Sequence, residues 1–262
     1  FGSEITILDG GDRFLPREDR DIAEEMLRVL NSKGIKVLQG VKIEAFRDNT
    51  ADTSVITSQG EFTADAVLVG VGRVPNTQGL GLANAGIETD PSGFILVDDH
   101  LRVQGKNHIW AMGDVAGSPM FTYISLDDYR IVREQLFGDG KRNRADRTPF
   151  PTATFTEPPL AHIGLTETAA QQSGREVKVL KLKADAIPKA KILNQTDGLL
   201  KAVVDAHSGE ILGVTLFCAE AHEIINLFKM AIDFRVPARY VKNQIFTHPT
   251  IAEGLNDLFA GC

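Results

Sequence analysis

An apolar, amphipathic, apolar succession over residues 4–39 limits this chain more than any other feature. EITIL (4–8) reads as a short buried strand. DRDIAEEMLRVLNSKG (19–34) then puts Ile22, Met26, Val29 and Leu30 on one helical stripe. Asp19 or Asp21 can cap the start of that helix, and Gly34 its end. IKVLQ (35–39) is the next strand. Strands joined through a helix in this way run parallel, and the crossover is right-handed. An α/β sheet is therefore expected at the amino-terminal end.

The pattern then changes. VKIEAFRD, TSVITSQ and EFTADAVLVGVG predict a small antiparallel excursion that returns to a buried strand at 66–72. GFILVDDHLRV (93–103) and HIWAMGD (108–114) are expected as further strands. FTYISLDDYRIVREQLF (121–137) is expected as a helix, with Ile124, Leu126, Ile131 and Leu136 supplying its apolar positions. GDGKRNRADRTP (138–149) is rich in glycine and charge and reads as a linker. Five short strands follow: TATFT, LAHIGL, EVKVLKL, GLLKAVVD and ILGVTLFCA. Asp197-Gly198 and Ser208-Gly209 mark turns between them. Helices come last, at 222–234, near 238–242 and after Pro249. Strands grouped before helices predict an α+β domain.

Bulk properties remove several function classes. The 262 residues suffice for two domains and a sizeable core. A net charge of −7 offers polyanions nothing, so nucleic acid is not an expected partner. No apolar run approaches the roughly 20 residues that span a bilayer. The two cysteines, Cys218 and Cys262, cannot build a disulfide framework and fit a reducing cytoplasm. Cys218 lies in an apolar strand; Cys262 is either a mobile thiol or simply the last residue. The chain opens on FGSEITILD with no Met, signal peptide or charged leader, and is expected to begin inside a domain.

Four sites carry candidate chemistry. Asp9 ends the first strand, where an acid either binds the ribose hydroxyls of a dinucleotide or serves a turn. In the first case it repels a 2′-phosphate and favours NAD over NADP; Arg13 and Arg17, close by in sequence, work against that preference. GVGRVPN (70–76) ends a strand in glycines that admit a ligand close to the backbone, with Gly72 the candidate, or else it forms a turn. IWAMGDVAG (109–117) runs an apolar strand into Gly113-Asp114. A carboxylate there needs donors, which ribityl or ribose hydroxyls and backbone N–H groups supply; a plain Gly-Asp turn is the alternative. In FTHPTIAE (246–253), Pro249 fits a first helical turn and puts His248 at the mouth of a helix carrying Glu253. A carboxylate beside an imidazole fixes its tautomer and suits a general acid–base; a helix-entry histidine is the alternative. No histidine pair has metal spacing with a third ligand, so no metal site is expected.

Together these segments resemble the flavoprotein disulfide reductases, the family of glutathione reductase, lipoamide dehydrogenase and mercuric reductase. GVGRVPN resembles the end of the nicotinamide domain, and IWAMGDVAG the second FAD signature. PTATFTEPPLAHIGLTETAA resembles the opening of the interface domain, and FTHPTIAE the catalytic His-Pro-Thr-x-x-Glu segment. The match covers essentially the whole chain in family order. It lacks the family's amino-terminal FAD glycine loop, redox cysteine pair and second glycine loop, so the resemblance implies a carboxy-terminal portion.

The resemblance implies an incomplete Rossmann-like FAD/NAD-binding part followed by an α+β interface domain. Residues 1–77 would be a partial NAD-binding domain, 78–145 the end of the FAD-binding domain, and 146–262 the dimerisation domain. Asp114, with Gly113, would hold the flavin's ribityl–phosphate region. Met120, Phe121 and Thr122 would pass its ring edge, and Asp9 would bind NAD. His248, oriented by Glu253 and preceding a cis proline, would serve thiols of the partner subunit in a homodimer. Phe121-Thr122-Tyr123 replaces the usual Leu-Ala-His. This variation resembles a bacterial subgroup linked to reactive-chlorine resistance and metal-ion reduction, and leaves glutathione and lipoamide unassigned as substrates. The alternative to an FAD- and NADH-linked oxidoreductase is a non-catalytic dimerisation module with half a cofactor cradle.

Overall fold

The computed structural model describes residues 2–262. By contact the chain divides into two compact units: residues up to Val67 together with Pro149–Cys262, and Leu68–Thr148.

The first unit opens as the sequence predicts. β1 (Thr6–Leu8) and β2 (Lys36–Leu38) pair in parallel across α1 (Arg20–Ser32). Ile22, Met26 and Val29 are buried, and they pack with Leu160 and Phe217. Gly34 follows the helix with φ +79°, the left-handed stop expected there. Two details differ. Ile5 is exposed and β1 is only partly buried, since a parallel strand is fully buried only where packed layers cover both faces of its sheet. Asp19 is the N-cap residue of α1 but gives that helix no side-chain bond. Its carboxylate instead accepts the N–H groups of Glu167 and Thr168 at 2.9 and 3.1 Å, almost 150 residues away.

β3 (Ile43–Asp48), β4 (Thr53–Thr57) and β5 (Gly60–Ala64) form the expected antiparallel excursion. The return does not form a buried strand. Residues 66–72 pair with nothing among the described residues, and Leu68 is 97% and Val71 83% exposed. A strand is defined by its neighbours, and an apolar pattern without them stays extended and wet.

In the second unit the expected strands at 93–103 and 108–114 are reduced to isolated bridges, Val97 to Val103 and Arg102 to Trp110. They enclose a small core of Ile95, Leu101, Val103, Ala111, Ala116 and Ile131. α2 (Thr122–Phe137) forms as expected and buries Ile124 and Ile131. Leu126 and Leu136 are about half exposed, and the third buried residue of the helix is Asp128. The glycine-rich stretch after α2 is ordered: Asn143 caps a 3₁₀ turn at Arg144–Asp146.

β6 (Thr152–Thr154), β7 (Leu160–Gly164), β8 (Val177–Lys183), β9 (Leu199–Asp205) and β10 (Ile211–Phe217) build one antiparallel sheet, ordered β6-β7-β10-β9-β8. Three short and one long helix complete the layer: α3 (Glu167–Gln172), α4 (Pro188–Leu193), α5 (Ala221–Asp233) and α6 (Ala238–Asn243). α7 (Gly254–Leu258) closes the chain. Ile163, Leu200, Leu216, Ile225, Phe228 and Phe259 lie in their common core. The Asp197-Gly198 turn brings two backbones together. A Cβ at Gly198 would sit 1.9 Å from the Phe217 carbonyl oxygen, so only glycine fits.

Candidate active site and cofactor cleft

The sequence FTHPTIAE folds as a tight turn, not as the first turn of a helix. The His248–Pro249 peptide is cis and α7 starts only at Gly254. Pro249 therefore stands outside the helix, and Glu253 occupies its N-cap. The turn carries its own bracing. Thr250 Oγ1 donates to the Thr247 carbonyl at 2.7 Å and accepts the Glu253 N–H at 3.2 Å. Glu253 Oε1 accepts the Thr250 N–H at 3.2 Å. These bonds aim the second carboxylate oxygen, Oε2, at His248 Nδ1, 2.7 Å away.

The two side chains differ in exposure. The imidazole is 70% accessible, whereas the carboxylate is 18% accessible. The His248 contact holds the Glu253 carboxyl below its usual range, against the opposing effect of desolvation. Glu253 thus stays ionised and accepts the Nδ1 proton. Nε2 is left as the proton-accepting nitrogen on the outward side of the ring.

A second arrangement lies wholly within Leu68–Thr148. Met112, Gly113, Asp114, Met120, Phe121, Thr122 and Arg73 line a cleft of about 500 Å³. The backbone enters it through Gly113, at φ +73°, and turns 3₁₀ over Gly113–Ala116. A Cβ there would lie 3.0 Å from Ser125 Oγ at a φ that L side chains rarely adopt, so the turn favours glycine. Asp114 is exposed. Arg73 donates to the Met120 carbonyl at 3.1 Å and joins GVGRVPN to the loop before α2. Thr122 is the first residue of α2, and Phe121 at the N-cap has no side-chain oxygen to offer the first-turn N–H groups. The positive end of a 16-residue helix therefore faces this region.

The remaining candidates stand apart. Gly72 lies in the exposed 66–72 segment, next to Arg73 but outside the cleft lining. Asp9 follows β1, half-buried, and its Oδ1 accepts the Gly11 N–H at 2.9 Å. Arg13 is engaged with the Glu18 carbonyl. His162 is held in β7 between Thr215 and the Gly164 carbonyl. No cluster of metal-ligating side chains exists among the described residues.

Two charged centres escaped the sequence reading. Lys201, 1% exposed in β9, contacts Asp19 at 3.0 Å, Asp21 at 3.0 Å and Glu167 at 2.5 Å. Asp128 is fully buried, bonded to the Gly113 N–H and to Arg147. A lysine amid the apolar residues of GLLKAVVD was the available signal for the first. The adjacent pair Asp127-Asp128 inside a helical pattern was the signal for the second.

This fold matches a known class of redox flavoprotein. Residues 1–128 match the family model described as pyridine nucleotide-disulphide oxidoreductase, and residues 150–259 match its dimerisation domain. The chain belongs to the pyridine nucleotide-disulphide oxidoreductase family.

Among individual relatives, it is 44% identical over 260 residues to the "Probable pyridine nucleotide-disulfide oxidoreductase RclA" of Escherichia coli. That match covers 99% of this chain and 59% of the relative. It is 33% identical over 259 residues to the mercuric reductase of Staphylococcus aureus, covering 97% of this chain and 47% of that protein. A solved Cu(II) complex of the HOCl-induced flavoprotein disulfide reductase RclA from E. coli superposes with a TM-score of 0.96 at 43% identity, over 99% of this chain and 59% of that one. The chain thus spans between 47% and 59% of the length of these relatives. Among the described residues, no helix is long and apolar enough to cross a membrane.

Proposed function

We propose that this chain works as part of a cytoplasmic FAD-dependent oxidoreductase that passes electrons from NADH through flavin to a disulfide or similar acceptor. In this reading residues 146–262 hold a homodimer, and His248–Glu253 serves thiols of the partner subunit. The observation that carries it is the 2.7 Å contact between a buried-side carboxylate and an exposed imidazole. An imidazole fixed through Nδ1 takes a thiol proton at Nε2, and Glu253 stabilises the cation that forms. The same nitrogen returns the proton to the departing sulfur.

The cleft suits FAD in its donor set. Asp114 accepts hydrogen bonds from ribityl or ribose hydroxyls. The dipole at the start of α2 favours an electron-rich group, and Met120, Phe121 and Thr122 supply a mixed wall. When bound, the flavin supplies the two-electron chemistry; the protein supplies placement and proton transfer. Asp9 favours NADH by repelling a 2′-phosphate. The Cu(II) complex of the RclA relative and the mercuric reductases make a thiol-binding metal ion the second acceptor class to assay.

The test is His248→Ala in the intact enzyme. Disulfide turnover is expected to fall by about 10²–10⁴-fold, with flavin reduction by NADH spared. Unchanged thiol turnover would remove the assigned role. A purified protein without the visible flavin band near ~450 nm, and unable to take up added FAD, would leave a dimerisation module only.

A further inference from the structure

We infer that Asp128 and Arg147 form a buried clamp that sets the Gly113–Asp114 turn, making both of them positioning residues for the cleft. The inference rests on the cofactor reading of that cleft, which it deepens by naming what holds the turn in shape.

Gly113 poses the physical problem. Its φ of +73° is open to glycine but not imposed by it, because a residue without Cβ also has other conformations to visit. Something outside the turn must select one. Asp128 does so: its Oδ2 accepts the Gly113 N–H at 2.7 Å from the middle of α2. Asp128 has no exposed surface, so no water competes for that acceptor.

A buried carboxylate bonded only to an amide would itself be poorly compensated. Its other oxygen, Oδ1, takes the Arg147 guanidinium. Arg147 Nε donates to Asp127 Oδ2 at 2.7 Å, and Arg142 pairs with Asp127 Oδ1. Burial pulls the Asp127 carboxyl up, but Arg147 and then Arg142 outweigh it and hold the group below its usual range. The guanidinium is therefore shared between two adjacent carboxylates of one helix. Arg147 is delivered by an ordered segment. It is the residue after the Arg144–Asp146 turn, which Asn143 caps through the Ala145 N–H and Asp146 closes through the Asn143 N–H. The Arg144 N–H is anchored on the Asp99 carbonyl at 2.9 Å. A stretch that reads as linker in sequence thus reaches the cleft through two bonds, Arg147 to Asp128 and Asp128 to Gly113.

The clamp is tested with Arg147→Ala, Arg147→Lys and Asp128→Asn. In the intact enzyme Arg147→Ala is expected to weaken FAD binding by about 10-fold to 100-fold, the range for losing charge-assisted bonds to a positioned group. The visible flavin band should shift with it, and Arg147→Lys should recover part of both. In the chain without flavin, amide hydrogen exchange at Gly113 should quicken in Arg147→Ala and Asp128→Asn. Exchange at β9 and β10, in the other unit, should stay as in the wild type.

Lower thermal stability with unchanged FAD affinity and unchanged Gly113 exchange in folded Arg147→Ala would overturn the clamp. Should Asp128→Asn fail to fold, the Arg147 pair decides alone. Should the wild-type protein bind no FAD, the cofactor reading fails, while the Gly113 exchange still decides whether the clamp exists.

Discussion

The five-stranded sheet of β6–β10 and the stretch from Leu68 to Thr148 carry comparable apolar patterns but reach different ends. In the sheet each apolar segment finds its hydrogen-bond partner within the same 114 carboxy-terminal residues, counted from Pro149 to Cys262. Leu200, Ala202, Val214 and Leu216 are accordingly almost completely buried. The segment at 66–72 finds no strand partner among the described residues and stays exposed, and in the second unit the segments at 93–114 pair only through single bridges. Apolar alternation therefore predicts a strand only where its neighbours are also present. It is a statement about readiness to pair, and pairing is a tertiary event.

The contrast can be broken most directly at Lys201. Its ammonium is buried among Asp19, Asp21 and Glu167, tying α1 and α3 to the middle of β9. Lys201→Met leaves three carboxylates without their shared cation and should cost about 3–5 kcal/mol in urea unfolding. A loss below about 1 kcal/mol would mean that this sheet does not depend on α1, and the contrast would rest on the strands alone.

A middle-sized effect is expected with acid. Burial pushes Asp19 and Asp21 up, but the hydrogen bond from Lys201 to the first, and those from Lys181 and Lys201 to the second, bring both below the ordinary value of 3.8. A carboxylate depressed on folding contributes stability that is present above its unfolded value and is lost as pH falls through the folded one. Urea midpoints should thus hold steady above about pH 5 and drop below about pH 4. Asp19→Asn should be less stable at neutral pH and show a flatter acid limb. Lys201 moves the opposite way: burial lowers it, while Glu167, Asp19 and Asp21 raise it further, so its contribution disappears only as pH climbs past the usual lysine range.

The smallest effect belongs to the unpaired run. Leu68→Ser should change the stability of this chain by less than about 0.5 kcal/mol, since the side chain is almost wholly in water. A cost above about 1 kcal/mol in calorimetry would show the run to be packed, and the contrast would sharpen in the other direction.

The sites divide along the same line. His248 and Glu253 are five residues apart, and their meeting was legible because a proline turn leaves few routes between them. The cis peptide before Pro249 was expected, but the helix was placed too early: it starts only at Gly254, and bonds through Thr250 brace the turn that carries the carboxylate. Gly113, Asp114, Met120, Phe121 and Thr122 were grouped by the family resemblance and not by local spacing, and in the structure all five line one cleft. Asp19 was not legible. A helix-capping aspartate is a local reading, and this one spends its oxygens on Glu167 and Thr168. Asp128 was hidden for the same reason: a charged residue in a helix is read as solvated until a buried amide and a guanidinium arrive from elsewhere.

The amino-acid order alone determined the periodic elements, the parallel crossover at the start, the antiparallel sheet and late helices at the end, and the short-range pairing of His248 with Glu253. These follow from side-chain spacing and turn chemistry, which act over a few residues. Tertiary structure alone decided which apolar runs become buried strands, and where the charges Lys201, Asp19, Asp128 and Arg147 are spent. Burial and charge compensation depend on groups far apart in the chain, and no local pattern encodes which of them will meet.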